Sequence, residues 1–248
     1  MTATSKVSEW KEAETGVFRR PLVGAERMFD DFHTADGWVE WIASVSFAKG
    51  DNTSVKQQEL ESWVGNAVDA VLLESPSLLA EVERKENATT EPPSTQCEFV
   101  YRKLADLEDF SQKRSQILSF VHSSETTEVG LKTVTDDFYQ KTEECISTTL
   151  GPALVHFTFV SSDREPDQYA IALRSSHALN DFWSGMAILR AILQQLATQA
   201  KPDAGLIASQ TERLHPCYID LLRNPVDHHA ASEEELAQGS QSIGKVRE

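Results

Sequence analysis

The sequence predicts an α/β protein in which a mixed β-sheet layer packs against helices. Two segments with an apolar stripe at helical spacing, 57–73 and 182–199, alternate with short apolar runs that have strand character. Two of these runs, 153–160 and 168–176, flank the polar stretch S-S-D-R-E-P-D, which is typical of a β-hairpin. Strands and helices do not alternate with the regular rhythm of a doubly wound sheet, and we therefore predict a mixed sheet.

The first half of the chain contains predicted strands around one long helix. The segment W-V-E-W-I-A-S-V-S-F-A (38–48) predicts a strand that ends at K-G-D-N. The following helix has its apolar residues on one face, namely Leu60, Val64, Ala67, Val68, Val71 and Leu72. A second strand is predicted for L-L-A-E-V-E-R (78–84), an exposed loop for 85–95, and a short third strand for C-E-F-V-Y-R (97–102).

The second half is dominated by helices on either side of the hairpin. Residues 106–122 are ambiguous and are predicted to be helical in part. An amphipathic helix is predicted over 135–150, where Gly151-Pro152 ends it. One more helix, over 206–222, precedes a polar tail. We therefore divide the chain into an N-terminal segment (1–17), one lobe (18–200), and a helix with a polar tail (201–248).

Composition and charge limit the functions that this chain can have. The formal net charge of −16 argues against a nucleic-acid-binding protein, because such proteins bind phosphates mainly through lysine and arginine. No apolar run is long enough to span a membrane, and the start, M-T-A-T-S-K-V-S-E-W-K, carries no hydrophobic signal segment. Three widely spaced cysteines, Cys97, Cys145 and Cys217, indicate reduced thiols and a cytoplasmic protein.

The stretch Y-A-I-A-L-R-S-S-H-A-L-N-D-F-W (169–183) holds the most informative pair of polar side chains. Because side chains alternate along a strand, the apolar face of this one aims His177 toward the interior, and we expect it to face a cleft beside the next helix. Asp181 comes just before that helix and can cap it. These two residues alone are also compatible with an ordinary strand–turn–helix junction that has no catalytic role.

Other side chains with catalytic or metal-binding potential are explained by ordinary structure. Asp227-His228-His229 has no third ligand at useful spacing, so no metal site is predicted. His33 and Asp36 flank a Gly-Trp turn, and Cys145 lies in a helical stripe where a small apolar side chain fits.

A longer pattern surrounds His177 and Asp181. It runs helix, Gly-Pro, strand, acidic hairpin, strand, H-x-x-x-D, aromatic residue and long amphipathic helix, and it resembles the chloramphenicol-acetyltransferase-like superfamily. That superfamily includes condensation domains of peptide synthetases, plant acyl-CoA acyltransferases and fungal O-acetyltransferases. Phe182, which follows the motif where condensation domains often have glycine, is similar to the fungal enzymes. The early segment R-R-P-L-V-G-A-E-R-M-F (19–29) is also similar to the opening of such proteins.

The resemblance implies a role for each residue of the motif. In the superfamily the histidine is a general base, which takes the proton from a hydroxyl or amine as it attacks a thioester. His177 is therefore expected to be the catalytic base, a step that suits the pKa range of imidazole. The aspartate of the superfamily pairs with an arginine and holds the loop, so Asp181 is expected to be structural. Several arginines remain candidates for that pair, namely Arg19, Arg20, Arg102 and Arg174.

The function implied by the resemblance is acyl transfer. An acetyl or other acyl group would move from acyl-CoA, a co-substrate and not a bound cofactor, to a hydroxyl of a small secondary metabolite. One alternative is a condensation-type lobe that uses a carrier-protein thioester, and another is a remnant without catalytic activity. Two-lobed members of the superfamily are about twice as long. We therefore expect this chain to correspond to the N-terminal lobe and to self-associate or to have low stability.

Overall fold

The structure is a computed structural model that describes residues 9–36, 40–48, 57–87, 94–143, 153–199 and 201–215. The strands in these ranges are β1 (Lys11–Glu14), β2 (Val17–Pro21), β3 (Glu40–Ala48), β4 (Glu81–Asn87), β5 (Ser94–Arg102), β6 (Leu118–Ser123), β7 (Val155–Ser162) and β8 (Gln168–Ser176). The helices are α1 (Ala25–Asp36), α2 (Gln57–Glu74), α3 (Leu107–Ser115), α4 (Thr127–Glu143), α5 (Phe182–Thr198) and α6 (Gly205–Ala208). None of these helices is both long enough and apolar enough to cross a lipid bilayer.

The described strands form two four-stranded sheets. The first sheet has the order β1-β2-β5-β4, and all of its neighbouring strands are antiparallel. The second sheet has the order β3-β8-β7-β6, in which β6 and β7 are parallel and the other pairs antiparallel. The parallel pair requires a crossover connection, and α4 lies in that connection. The mixed α/β class predicted from the sequence is confirmed.

Helices cover both faces of the second sheet. Phe157, Ile171 and Leu173 contribute to the main core, which the sheet shares with α2 and α5. On the opposite face, α4 approaches so closely that a Cβ atom on Gly130 would lie 2.8 Å from Val160. Because the sheet is buried on both faces, β7 and β8 are nearly continuous apolar runs and lack a strictly polar face.

Several predicted elements are confirmed by the structure. The long helix after β3, the hairpin of β7 and β8, and the helix that follows it all form where the sequence predicts them. The ambiguous segment 106–122 contains α3 and then β6. Asp106 caps α3 by accepting hydrogen bonds from the backbone amides of Glu108 (2.8 Å) and Asp109 (3.0 Å).

Three predicted element boundaries are wrong. The helix predicted over 135–150 begins earlier, at Thr127. The sequence did not indicate its first turns because polar residues lie along one face there. Residues 144–150 lie outside the described residues. The loop predicted over 85–95 is shorter, since β4 continues to Asn87 and β5 begins at Ser94. The helix predicted over 206–222 is interrupted: α6 and a 3-10 turn (Gln210–Arg213) form, the chain is no longer helical at 214–215, and 216–222 lie outside the described residues.

Residues on both sides of the expected 18–200 lobe pack onto it. Strand β1 pairs with β2, so the first sheet includes residues before 18. After residue 200, the Gln210 side chain accepts a hydrogen bond from the Leu104 amide (2.9 Å) and one from the Tyr101 hydroxyl. Arg213 donates to the Leu73 carbonyl at the end of α2 (3.2 Å). These backbone and side-chain contacts, which composition does not reveal, join both flanking segments to the lobe.

Helix α5 approaches the second sheet closely at Gly185. A Cβ atom on Gly185 would lie 1.9 Å from Cη2 of Trp41, a residue of β3. Only a residue without a side chain fits here, since the indole is held in place by neighbours on both sides.

We predict that Gly185→Ala destabilises the protein by about 1–3 kcal/mol or more, because the added methyl group overlaps the Trp41 ring. The matched control is Gly65→Ala in α2, where the nearest atom is Nη1 of Arg114 at 3.1 Å, so the guanidinium needs to shift by only a few tenths of an ångström and keeps its ion pair with Asp69. The control should be neutral or stabilising, because alanine favours helix more than glycine does. Chemical denaturation of both variants measures the difference, and equal free energies of unfolding would contradict this account of the packing.

Candidate active site

A cleft of about 560 Å³ lies where the two sheets approach each other. Its walls come from β2, α1, the 3-10 turn Pro76–Leu79, the loop after β8 and the first turns of α5, with His215 at one side. About half of these lining side chains are apolar, among them Trp10, Phe29 and Ile188, and only three carry a formal charge, namely Arg20, Glu26 and Asp181. The cleft therefore suits a small organic molecule with few charged groups.

His177 lines this cleft in the turn directly after β8, as the sequence predicts. Its half-buried imidazole stacks on the ring of Phe29, with centroids 4.9 Å apart and an interplanar angle of 23°. Trp41 lies on another side at 6.3 Å. Neither ring nitrogen of His177 has a hydrogen-bond partner among the described residues, so both remain available to a ligand in the cleft.

The pKa of His177 reflects this apolar surrounding. Burial lowers its pKa from the ordinary value, because a charged imidazolium loses solvation between the aromatic rings, and the nearby Asp181 carboxylate opposes that effect in part. The imidazole is therefore neutral at pH 7, which is the form that accepts a proton.

Hydrogen bonds hold the loop of His177 in place. The Trp41 indole donates to the Asn180 carbonyl (3.1 Å), and the Asn180 side-chain amide donates to the Ser175 hydroxyl (3.0 Å). Within the turn, the Ser176 hydroxyl accepts from the Ala178 amide (3.3 Å). The loop is thus fixed to β3 on one side and to β8 on the other.

Asp181 is the N-cap of α5. Its Oδ1 atom accepts a hydrogen bond from the backbone amide of Ser184 at 2.7 Å. Hydrogen bonds from the Ser184 side chain and backbone hold the pKa of this carboxyl below its usual value. The residue is exposed and lies at the edge of the cleft, so the expectation that an arginine pairs with it away from the cleft is not met within the described ranges.

Each candidate arginine pairs with another carboxylate. Arg19 and Arg102 both contact Glu83, and Arg174 contacts Glu40 at 2.8 Å. Arg20, the fourth candidate, donates two hydrogen bonds to Glu26, from Nη1 (2.8 Å) and from Nη2 (3.0 Å). Asp181 therefore depends on its helix terminus and not on an ion pair for its orientation.

The Arg20–Glu26 pair is the main charged feature inside the cleft. The Arg20 guanidinium is 4% exposed and lies against the rings of Trp10 (5.5 Å) and Phe99 (4.7 Å). Among the described residues that line the cleft, Arg20 is the only lysine or arginine, and its charge is balanced by Glu26. The cleft thus offers no unbalanced positive charge from these residues to an anionic group.

A second cluster, which the sequence did not suggest, joins a serine, a histidine and an aspartate at the far end of the second sheet. His122 contacts the Ser161 hydroxyl through Nδ1 (3.0 Å) and the Asp163 carboxylate through Nε2 (2.9 Å). Ser161 is only 2% exposed, and its hydroxyl also accepts a hydrogen bond from Gln57 (2.9 Å). A substrate carbonyl cannot reach this oxygen, so the cluster connects β6 to β7 and is not a nucleophilic site.

No metal site is found in the part of the chain that the structure describes. No three histidine, cysteine, aspartate or glutamate side chains are arranged there to hold an ion. The segment Asp227-His228-His229 lies outside the described residues, as do Cys145, Cys217 and the side chains of His33 and Asp36.

Two solved structures are similar to this chain to different degrees. Trichothecene 15-O-acetyltransferase (TRI3) from Fusarium sporotrichioides is 13% identical, and the match covers 86% of this chain and 43% of that chain with a TM-score of 0.64. F. graminearum TRI101 complexed with ethyl coenzyme A is 13% identical over 80% of this chain and 43% of that chain, with a TM-score of 0.44. The sequence matches no protein-family model and no curated protein.

The first of these structures confirms the fold predicted from the sequence. The chain has the chloramphenicol-acetyltransferase-like fold and corresponds to the N-terminal lobe of such proteins. It spans less than half of the length of the trichothecene enzyme.

Sequence reasoning missed the aromatic surroundings of His177. Phe29 is the last residue of the segment R-R-P-L-V-G-A-E-R-M-F, which we noted only for its likeness to related proteins. Trp41 lies in a predicted strand, where an aromatic residue indicates core packing. No local signal connects either residue to the motif, because Phe29 meets it only through the approach of the two sheets and Trp41 only through the pairing of β3 with β8.

The cap at Asp181 yields a test of its structural role. Asp181→Ala should lower the free energy of unfolding by about 1 kcal/mol, because the Ser184 amide loses its acceptor. Asp181→Asn should retain most of the stability, since asparagine caps helices about as well as aspartate. Thermal and chemical denaturation compare the two variants. If both lose the same stability, the carboxylate acts through its charge and not through the cap.

Proposed function

We propose that this chain is the base-bearing lobe of an O-acyltransferase, which moves an acetyl or other acyl group from acyl-CoA to a hydroxyl of a small secondary metabolite. The observation that carries the proposal is the imidazole of His177, which lines a cleft of about 560 Å³ and has no hydrogen-bond partner for either ring nitrogen among the described residues. Acyl transfer needs such a base, since a hydroxyl is a weak nucleophile while it keeps its proton.

The proposed reaction has two steps. The acceptor oxygen attacks the thioester carbonyl carbon while a His177 nitrogen takes the hydroxyl proton, which forms a C–O bond and a tetrahedral oxyanion. The oxyanion then collapses, the C–S bond breaks, and the imidazolium returns its proton to the departing thiolate. The products are an ester and free CoA, and His177 ends in its starting form.

The described cleft has no unbalanced positive charge, so it suits the uncharged acceptor and the uncharged acyl thioester end of the donor. The phosphates of CoA need positive charge, and Arg20 is already paired with Glu26. We propose that these phosphates bind outside the described part of the cleft, while an uncharged alcohol and the thioester meet at His177. The overall charge of −16 makes a local basic region necessary for such a donor.

The fold gives further support. The solved structure that shares this fold with a TM-score of 0.64, TRI3, is a trichothecene 15-O-acetyltransferase. The similarity covers 43% of its chain, so activity, substrates and partners remain proposals for this chain. A cytoplasmic location is also a proposal, supported by the buried free thiol of Cys97.

We predict that His177→Ala lowers acyl-transfer turnover on the order of 10²–10⁴-fold, the range for removal of a positioned base. Free CoA released from acetyl-CoA is measured with a thiol reagent, in the presence of a panel of uncharged alcohols. His122→Ala is the matched control, because His122 lies at the other end of the second sheet, and it should keep the wild-type rate.

Three results would count against the proposal. A His177→Ala variant with wild-type turnover would remove this residue from the mechanism. A requirement for an acyl-carrier protein in place of acetyl-CoA would favour a condensation-type lobe. A folded wild-type chain with no turnover from either donor would favour a remnant without catalytic activity.

We further propose that the chain self-associates. Phe182 and Trp183 are 48% and 77% exposed at the start of α5, next to the cleft, and β3 lies at the edge of the second sheet among the described strands. Exposed aromatic pairs and strand edges favour association.

We predict that light scattering detects species larger than a monomer. Trp183→Ser should reduce the amount of these species, because it removes the most exposed aromatic ring. The control Tyr139→Ser, at an exposed aromatic position in α4, should leave them unchanged. A stable, fully active monomer would contradict this proposal.

A further inference from the structure

Phe29 reaches His177 from a different sheet. Helix α1, which carries Phe29, directly follows β2 of the first sheet, whereas His177 follows β8 of the second. The two rings nevertheless lie almost parallel, 4.9 Å apart at an angle of 23°. This stacking is the closest ring contact of the imidazole among the described residues, since the Trp41 ring is 6.3 Å away and tilted by 60°.

Two ion pairs, each with a buried carboxylate, fix the part of α1 that carries Phe29. Glu26, one turn before Phe29, binds Arg20 of β2 through two hydrogen bonds of 2.8 and 3.0 Å. Asp30, the next residue after Phe29, accepts from Nε of Arg84 in β4 at 3.2 Å. Both carboxylates are buried, at 8% and 3% exposure. Residues 26, 29 and 30 share one helix face, so these two pairs hold the ring between them.

The other side of the imidazole is bounded by Trp41. Its indole donates to the Asn180 carbonyl, and its ring packs on Gly185 of α5. The imidazole thus lies between an aromatic ring from α1 and one from β3, and it lacks a hydrogen bond to any described residue that would set its orientation. Aromatic contact is the interaction left to define the plane of the ring.

We infer that Phe29 is a positioning residue for His177, because its ring stacks on the imidazole and fixes the plane of the imidazole ring. Glu26 and Asp30 anchor α1 to the first sheet and thereby hold Phe29 in place. The inference rests on the proposed function, because orientation matters only if His177 exchanges a proton with substrate. A histidine that acts as general base in acyl transfer must direct one ring nitrogen at the acceptor oxygen. Misplacement of that nitrogen by about 1 Å costs on the order of 10²-fold in rate.

The charged and titratable groups that line the cleft around His177 are few and come from four parts of the fold. Asp181 comes from the N-cap of α5, the mutually balanced pair Arg20 and Glu26 from β2 and α1, and His215 from the segment after the last 3-10 turn. None of them changes when Phe29 is replaced. A change in the titration of His177 after such a replacement therefore reports on ring contact and solvation.

The test replaces Phe29 by leucine, which keeps an apolar side chain, and by tyrosine, which keeps the ring. Proton NMR follows the titration of His177, assigned by comparison with His177→Ala. Phe29→Leu should move the midpoint up toward the value of an exposed histidine, since water reaches the imidazole, and Phe29→Tyr should retain the wild-type midpoint. Phe120→Leu, at an exposed position on β6, is the matched control and should leave the midpoint unchanged.

The kinetic arm uses acetyl-CoA and the same uncharged alcohols. Phe29→Leu should lower kcat by about tenfold with little change in KM for the acceptor, because orientation of the base is lost while the walls of the cleft remain. Its acid limb in the pH–rate profile should shift upward together with the NMR midpoint, and Phe29→Tyr should restore both.

The two arms separate the inference from the proposed function. An unchanged NMR midpoint in folded Phe29→Leu, or a shift that Phe29→Tyr does not reverse, overturns the positioning role. The expected NMR shifts in a wild-type protein that transfers no acyl group overturn the proposed function and leave the stacking contact established. Should Phe29→Leu lose its melting transition, Phe29→Met replaces it, with the same outcomes.

Discussion

The packing of Trp41 against Gly185 is the contact on which the geometry of the site depends. Because Gly185 has no side chain, α5 approaches the second sheet closely enough for the Trp41 indole to lie beneath the start of the helix. The same indole donates to the Asn180 carbonyl, so a single side chain of β3 fixes both the loop that carries His177 and the helix that follows it. A looser contact here would separate the histidine from the cleft walls.

Buried charges in this lobe set positions, and they are all balanced within the described ranges. Arg20 with Glu26 and Arg84 with Asp30 join α1 to the first sheet, and Arg114 with Asp69 joins α3 to α2. Burial raises the pKa of Asp69 to about 6, since its desolvation outweighs the attraction of Arg114. Such pairs add little net stability but are costly to break on one side, so they favour one arrangement of helices over others.

The sequence predicted the part of the site that follows local rules. The hairpin, His177 at the strand end and Asp181 before α5 depend on alternation and helix caps, which neighbouring residues define. The division into two sheets could not be predicted. Strand β2 pairs with β5, which lies about eighty residues further along the chain, and such long-range pairing leaves no signal in the local sequence. For the same reason Phe29 and Trp41 were not connected to His177. Asp181 shows the converse limit, since the resemblance implied an arginine partner that is not found among the described residues.

The state of His177 therefore depends on both sheets at once. The second sheet brings the residue to the cleft, and its own Asp181 favours the protonated imidazole. The first sheet, through α1 and Phe29, contributes apolar surface that favours the neutral form, and burial is the larger effect. Because the folded protein binds this proton less tightly than the unfolded chain does, the contribution of His177 to stability falls as pH drops through the ordinary pKa range of histidine and is restored above it. The same balance that leaves the imidazole of His177 without a proton at neutral pH thus makes the junction of the two sheets weaker in acid, and it ties the protonation of His177 to the stability of the interface that forms the cleft.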